Sequence, residues 1–318
     1  MMAQHWTANN IPPLEGKVAL VTGANSGLGY YTALELARKG ARVIMACRSP
    51  ERARLALERI QGEVRGAQAE VLALDLASLA SIQACAETVE SKFGRLDILV
   101  NNAGVMGIPR RVTEDGFEMQ FGANHLGHFA LTGRLLPAVE AAPAGRVVTV
   151  SSMMHQYGKM DFDDLMGEKE YDPWRAYSQS KLANLLFAYE LQRRLAARHS
   201  AARSLAAHPG YAATNLQYVS AEMKGSRLER WGNWLANTLF AQPAARGALP
   251  QLYAATAPEV EGGAFTGPDG WGGARGYPKV VRSSARSYDT EAARRLWQIS
   301  ETLTGVVFED PIKEYTIS

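Results

Sequence analysis

Tyr177 and Lys181 lie four residues apart in AYSQSKLAN, a stretch that otherwise has the composition of an ordinary helix. Positions i and i+4 share a helix face, so the phenol and the ammonium can present their polar ends to one site. A free tyrosine titrates at about pH 10 and is a poor acid-base group at neutral pH. A nearby ammonium stabilises phenolate, which is expected to lower the pKa of Tyr177 toward useful proton transfer. By itself such a pair occurs by chance on many exposed helices. Its weight comes from Ser151 and Ser152, which end the apolar run VTVSS ahead of the helix. If that run is a strand of an open parallel sheet, the serines stand at its carboxyl edge, where such sheets place ligands. Ser152 could then hold a substrate oxygen beside the phenol.

A second group of residues suits an anionic cofactor. TGANSGLG places Gly23, Gly27 and Gly29 where an apolar run turns into a helical stretch. Glycines there let backbone approach a pyrophosphate, whose charge meets amide N–H groups and the helix N-terminus. The spacing differs from G-x-G-x-x-G, so the turn alone is moderately specific. The next apolar run ends in MACRSP, with Arg48 where an acidic residue would accept hydrogen bonds from the ribose of NAD. A guanidinium matches a 2'-phosphate in charge and in its fork of donors, which favours NADP(H), with NAD(H) still accommodated. Asp75, in LALDLAS, is expected to cap the following helix, to contact the adenine, or both.

The elements that must position these groups are legible as an alternation. KVALVTG, ARVIMAC, AEVLALDL, LDILVNNAG, GRVVTVSS and ARSLAAHPG are short, nearly continuous apolar runs, separated by helical stretches that start near Gly27, Pro50, Ser78 and Thr113 and by the helix of Tyr177. Such strands imply a parallel sheet covered on both faces, and right-handed crossovers make it doubly wound. The expected fold is α/β: one Rossmann-like domain over 1–318, with a core at 16–210, a helical segment at 211–245 and a C-terminal completion at 246–318. In the last part a helix near Ala244 to Ala255, a short strand at GGAFTG, a glycine-rich loop and a final helix, DTEAARRLWQISETLTG, are expected.

Composition narrows the function classes. The 318 residues carry a formal charge of +2 with Lys and Arg scattered, so nucleic acid is not an expected partner. Cys47 and Cys85 have no pairing or zinc spacing, and a reducing cytoplasm suits them. The N-terminus lacks the basic start and apolar run of a signal peptide, and no stretch approaches ~18 uninterrupted apolar residues, so stable membrane insertion is not expected. His125 and His128, at i and i+3 without further ligands, give no reason to expect a metal.

TGANSGLG, NNAG at Asn101 to Gly104, Asn124 in GANHLGHF, Ser152, YSQSK and HPG at His208 to Gly210 follow the order and approximate spacing of the short-chain dehydrogenase/reductase family. The resemblance covers about residues 16 to 215. VIMACR, NHLGHF and His155 in SSMMH make the chain look most like the branch of retinol dehydrogenases, the WW-domain oxidoreductase and related bacterial reductases. The resemblance implies that Tyr177 is the acid-base residue and that Lys181 lowers its pKa and binds the nicotinamide ribose. Ser152 would orient the carbonyl or alcohol, and Asn124 would help hold a water relay from Lys181 to solvent. Thr22, Gly23, Asn25, Ser26, Gly27, Leu28 and Gly29 would line the pyrophosphate site. Asn102 and Ala103 would lie along the adenosine, with Asp75, Leu76 and Gly104 also on the cofactor. Pro209, Gly210 and Thr214 would border the nicotinamide. His155 is expected to be a structural loop residue.

Trp231, Trp234, Leu235, Leu239 and Phe240 gather on one helical face. In the family the corresponding region covers the substrate, which suggests a lipophilic alcohol or ketone; a core or subunit interface is the alternative. The assembly expected is a homodimer or homotetramer. Two rival functions stand beside NADP(H)-dependent carbonyl–alcohol chemistry. One is light-driven C=C reduction, since protochlorophyllide reductases share VIMACR and the NHLGHF type, although serine stands here where they typically carry threonine. The other is a non-catalytic NADP-binding sensor, against which the retained Tyr, Lys, Ser and glycines speak.

Overall fold

The computed structural model describes residues 5–211 and 242–308. The six apolar runs form strands β1 (Val18–Thr22), β2 (Arg42–Cys47), β3 (Ala69–Ala73), β4 (Ile98–Asn101), β5 (Arg146–Val150) and β6 (Arg203–Ala207). Strand β7 (Phe265–Gly270) adds in parallel to β6 and β8 (Arg275–Val281) pairs antiparallel with β7, giving the order β3-β2-β1-β4-β5-β6-β7-β8. The chain leaves β1 toward β2 and β3 on one side and resumes with β4 on the other. That reversal opens a crevice above the carboxyl ends of β1 and β4.

Alternation along each strand sends successive side chains to opposite faces. Val21, Val43, Met45 and Val148 join one core with helices α1 (Gly27–Arg38) and α2 (Pro50–Glu63). Leu20, Ile44, Leu99 and Val147 join the other, under α3 (Leu79–Phe93). With both faces covered, every residue of β4 and β5 is buried. Burying a Leu, Ile or Val side chain contributes about 1.5–3 kcal/mol, which explains why these strands read as unbroken apolar runs.

The helical stretch expected from Thr113 begins later. Phe117 N donates to the Thr113 hydroxyl, Gly116 takes φ +83°, and the buried Glu118 carboxylate accepts from Gln120 N and Phe121 N to start α4 (Met119–Phe121). A π-turn, Gly122–Leu126, joins it to α5 (Gly127–Glu140). The Tyr177 helix, α6 (Pro173–Ala197), has Pro173 in its first turn and Asp172 as cap, accepting from Trp174 N and Arg175 N. Short helices α7 (Ala244–Gly247) and α8 (Leu249–Thr256) follow, and α9 (Thr290–Thr304) ends the described chain's helices, its buried Trp297 packing on Phe129. The glycine-rich stretch after β7 is not simply a loop: it turns at Gly272 and Gly273 and returns as β8. Among the described residues, no helix is long and apolar enough to cross a membrane.

Candidate active site

Above the reversal point lies a cavity of about 250 Å³. Its walls are Thr22, Gly23, the run Asn25–Gly29, Arg48, Asp75, Leu76 and Asn102–Gly104, together with Ser49, Arg52 and a few apolar neighbours. Thirteen positions read from the sequence as cofactor contacts thus line one cleft. The glycine turn is held by close packing. A β-carbon at Gly29 would stand 2.4 Å from the Gly23 carbonyl oxygen and 2.6 Å from Asn102 Nδ2, so only glycine lets α1 start against the turn. The Thr22 hydroxyl accepts from Asn102 N and Ala103 N, both at 2.9 Å, and Asn102 Nδ2 donates to the Thr22 carbonyl at 2.8 Å. Arg52, in the first turn of α2 behind the Ser49 cap, puts a second guanidinium on the wall beside Arg48. Its place one turn after Arg48 was a signal available in the sequence.

Asp75 does not cap α3. Its carboxylate accepts from Ala77 N at 3.0 Å in a local turn, and the cap is Ser78, whose hydroxyl accepts from Ser81 N.

At the end of β5 the two serines separate. Ser151 Oγ donates to the Lys181 carbonyl at 2.7 Å and fastens α6 to the strand. Ser152 is the one that hydrogen-bonds to the Tyr177 phenol. Lys181 Nζ donates to the Val150 carbonyl at 3.2 Å and lies 5.7 Å from the Tyr177 ring centroid. Both side chains are buried, and burial dominates their titration. It pushes the Tyr177 phenol up to about 12, opposed by the Ser152 hydrogen bond. It pulls the Lys181 ammonium down to about 8. The tyrosine pKa is therefore raised rather than lowered as expected, because desolvation of the phenolate outweighs the Ser152 hydrogen bond.

Asn124 sits in the π-turn, completely buried. Its side-chain amide donates to the Val105 carbonyl and to Ser180 Oγ, both at 2.9 Å, while its oxygen accepts from Val105 N at 2.8 Å. The side chain is thus a brace between the segment after β4 and α6. Gly104 bridges the two halves of the site: a β-carbon there would stand 2.9 Å from Asn124 Oδ1 and 3.5 Å from Lys181 Nζ.

His128, a weak metal candidate by its spacing, has a linking role in the structure. Its Nδ1 lies 3.0 Å from the Asn124 carbonyl and its Nε2 2.9 Å from Thr22 Oγ1. A carbonyl only accepts, so Nδ1 carries the proton and Nε2 accepts from the threonine hydroxyl. Burial holds this imidazole neutral, with its pKa pulled down to about 4. His125 faces elsewhere, with Nε2 2.9 Å from Ser300 Oγ.

His155 is likewise a connector. Its Nδ1 is 2.6 Å from the Ser152 carbonyl, and its Nε2 accepts from Ser284 N at 3.1 Å. Pro209 and Gly210 follow β6, away from the glycine cleft's lining. Gln242 Nε2 donates to the Pro209 carbonyl at 2.7 Å, and Gly210, at φ +67°, packs so closely that a β-carbon would meet the Ala274 oxygen at 2.4 Å. Thr214 and the apolar residues Trp231, Trp234, Leu235, Leu239 and Phe240 lie outside the described residues.

A doubly wound sheet with a glycine turn over its reversal point and a Ser-Tyr-Lys group beside it defines a class, and the family model for short chain dehydrogenase matches residues 17–225. The chain belongs to the short-chain dehydrogenase family. It is 41% identical over 310 residues to retinol dehydrogenase 14 of Homo sapiens, covering 92% of this chain and 88% of that protein. It is 43% identical over 305 residues to polyprenol dehydrogenase of Mus musculus, covering 93% and 86%. An uncharacterized protein from Mycobacterium paratuberculosis of known crystal structure superposes with a TM-score of 0.80 at 43% identity, over 96% of this chain and all of that one. The chain is thus an oxidoreductase of the retinol-dehydrogenase-like branch.

Proposed function

We propose that this enzyme uses NADP(H) to interconvert a lipophilic alcohol and its carbonyl compound. The observation that carries the reading is the grouping of Ser152, Tyr177 and Lys181, with Lys181 Nζ beside Gly104 of the glycine cleft. The names of the relatives, retinol and polyprenol dehydrogenases, support an apolar alcohol.

The cleft suits a dinucleotide on its own geometry. At Gly23 and Gly29 the turn leaves no room for a β-carbon, bringing backbone and the α1 N-terminus to the wall. Arg48 and Arg52 at its rim offer paired guanidinium donors to a phosphate on the adenosine ribose. When bound, the nicotinamide supplies or accepts the hydride. The chain's own residues manage the proton. At neutral pH the Tyr177 phenol is protonated, a state suited to donating to the oxygen of a carbonyl as it gains negative charge. Ser152, hydrogen-bonded to the same phenol, orients that oxygen. Lys181, anchored on Val150, places its charge beside Gly104, where the ribose of the cofactor would pass. Asn124 and His128 hold these parts in register with Thr22.

The test is oxidation of NADPH and NADH by wild type and Tyr177→Phe over carbonyls from small aldehydes to retinal-like and steroid ketones. Tyrosine-dependent turnover, faster with NADPH, is expected; equal activity of the variant would refute the assignment. The phenol's raised pKa sets the pH response. Reduction uses the protonated phenol and holds up across neutral pH. Alcohol oxidation needs phenolate, so its kcat/KM should climb by about tenfold per pH unit below the phenol's pKa.

A further inference from the structure

Trp174 stands one helical turn before Tyr177, on the same face of α6. Its indole meets the Tyr177 ring edge-on, with centroids 6.2 Å apart and planes at 83°. Its six-membered ring lies against the segment that follows β4: a β-carbon at Gly107, which has φ +61°, would stand 3.2 Å from Cζ2. These two supports are clamped together by one buried side chain. Gln120 Oε1 accepts from Gly107 N at 2.7 Å, while its Nε2 donates to the Pro173 carbonyl at 2.8 Å and to Tyr171 Oη at 2.9 Å. The glutamine therefore fixes the distance between the strand-end loop and the start of α6, and with it the position of the indole.

In spite of these contacts Trp174 is 43% exposed, whereas Tyr177 is 6% exposed. A half-covered indole thus stands directly beside a buried phenol, with the Lys181 ammonium and the Ser152 hydroxyl on the phenol's other contacts. Ligand sites have this composition, with apolar walls around a few convergent polar groups, and tryptophan offers much contact area at little entropic cost. We propose that Trp174 is the wall on which the apolar body of the substrate lies, and so the residue by which the enzyme prefers long or polycyclic carbonyls to small ones. The proposal rests on the reading of Tyr177 as the group facing the reacting oxygen. A short ketone whose oxygen reaches the phenol leaves the indole in water; a long one covers it.

A homologous pair, propanone and 2-dodecanone, isolates this effect because the reacting carbonyl is the same. The ratio of kcat/KM for 2-dodecanone over propanone should fall by about tenfold in Trp174→Ala and less in Trp174→Leu, which keeps apolar bulk. In parallel, 2-dodecanone is titrated calorimetrically into the protein with and without NADP+, mixtures in which no reduction occurs. Its Kd should rise by a similar factor in Trp174→Ala. A ratio and a Kd that both stay within about twofold of wild type overturn the proposal. So does an equal loss for both ketones, which would make Trp174 a support for Tyr177 alone. If wild type reduces neither ketone, the carbonyl chemistry fails for this pair, while the calorimetric Kd still decides for or against Trp174.

Discussion

Along the carboxyl edge of the sheet, the ends of β1 and β2 and the end of β5 are neighbouring places made from different materials. At β1 the wall is backbone: Gly29 against Gly23, Asn102 and Ala103 amides on the Thr22 hydroxyl. At β5 the wall is side chain: the Ser152 hydroxyl with a phenol and an ammonium, the latter two withdrawn from water far enough that burial dominates their titration. The first region is intolerant of added atoms. The second has room for isosteric changes yet depends on the charge state of each group. In the proposed reaction, shape holds the cofactor in one, and desolvated groups move the proton in the other.

If that contrast holds, the largest effect belongs to the smallest chemical change. Tyr177→Phe removes one oxygen and should lower kcat by about 10³-fold, within the range typical of general acid-base groups, while NADPH binding measured by fluorescence stays largely intact. Gly29→Ala adds one carbon where a β-carbon would sit 2.4 Å from a carbonyl oxygen. It should cost about 3 kcal/mol in a denaturant melt and weaken NADPH binding, because the turn must open to admit it. A stable Gly29→Ala protein with normal NADPH affinity would erase the distinction between the regions. Arg48→Asp should shift the ratio of NADPH to NADH affinities by about ten- to hundredfold toward NADH, as expected for losing a hydrogen-bonded charge contact. An unchanged ratio would leave Arg52 as the phosphate's partner.

The smallest effect concerns stability against pH. Lys181 in the folded chain titrates at about 8, below its ordinary value. Between pH 8 and its ordinary pKa the unfolded chain holds more protons at this position than the folded one, so stability rises with pH there. Tyr177 works the other way, its contribution falling only as pH climbs from about 10 toward 12. From pH 8 to 10, wild type should therefore gain about 2 kcal/mol relative to Lys181→Met in urea melts. A flat difference would mean that the ammonium is better solvated than its burial implies.

The alternation of strands and helices, the glycine turn and the Ser152-Tyr177-Lys181 group were legible because identity and spacing carry them directly. What escaped depends on partners distant in sequence or on burial. His128 reaches Thr22 across more than a hundred residues, and nothing in NHLGHF announces a tautomer. Strand β8 contains Gly276 and Pro278 and reads as loop; an edge strand accepts both, since its outer side needs no donors. Asp75 and Ser78 both suit a cap, and only the local turn onto Ala77 decides between them. The charge of Lys181 predicts a lowered tyrosine pKa, but burial, which spacing does not encode, has the greater influence.

The π-turn at Gly122–Leu126 has a consequence for how the chain can vary. Each residue of a regular helix advances the face by about 100°, so a widened turn places the residues before and after it in two angular frames. Asn124 addresses Val105 and Ser180, while His128 addresses Thr22 and Phe129 packs on Trp297. Removing one residue from this turn would swing the whole downstream face out of phase, breaking the link to β1 and the seat of the C-terminal helix at once. Replacing a side chain disturbs one contact; losing a position disturbs them all. In this helix the protein should accept a change of letter more readily than a change of count.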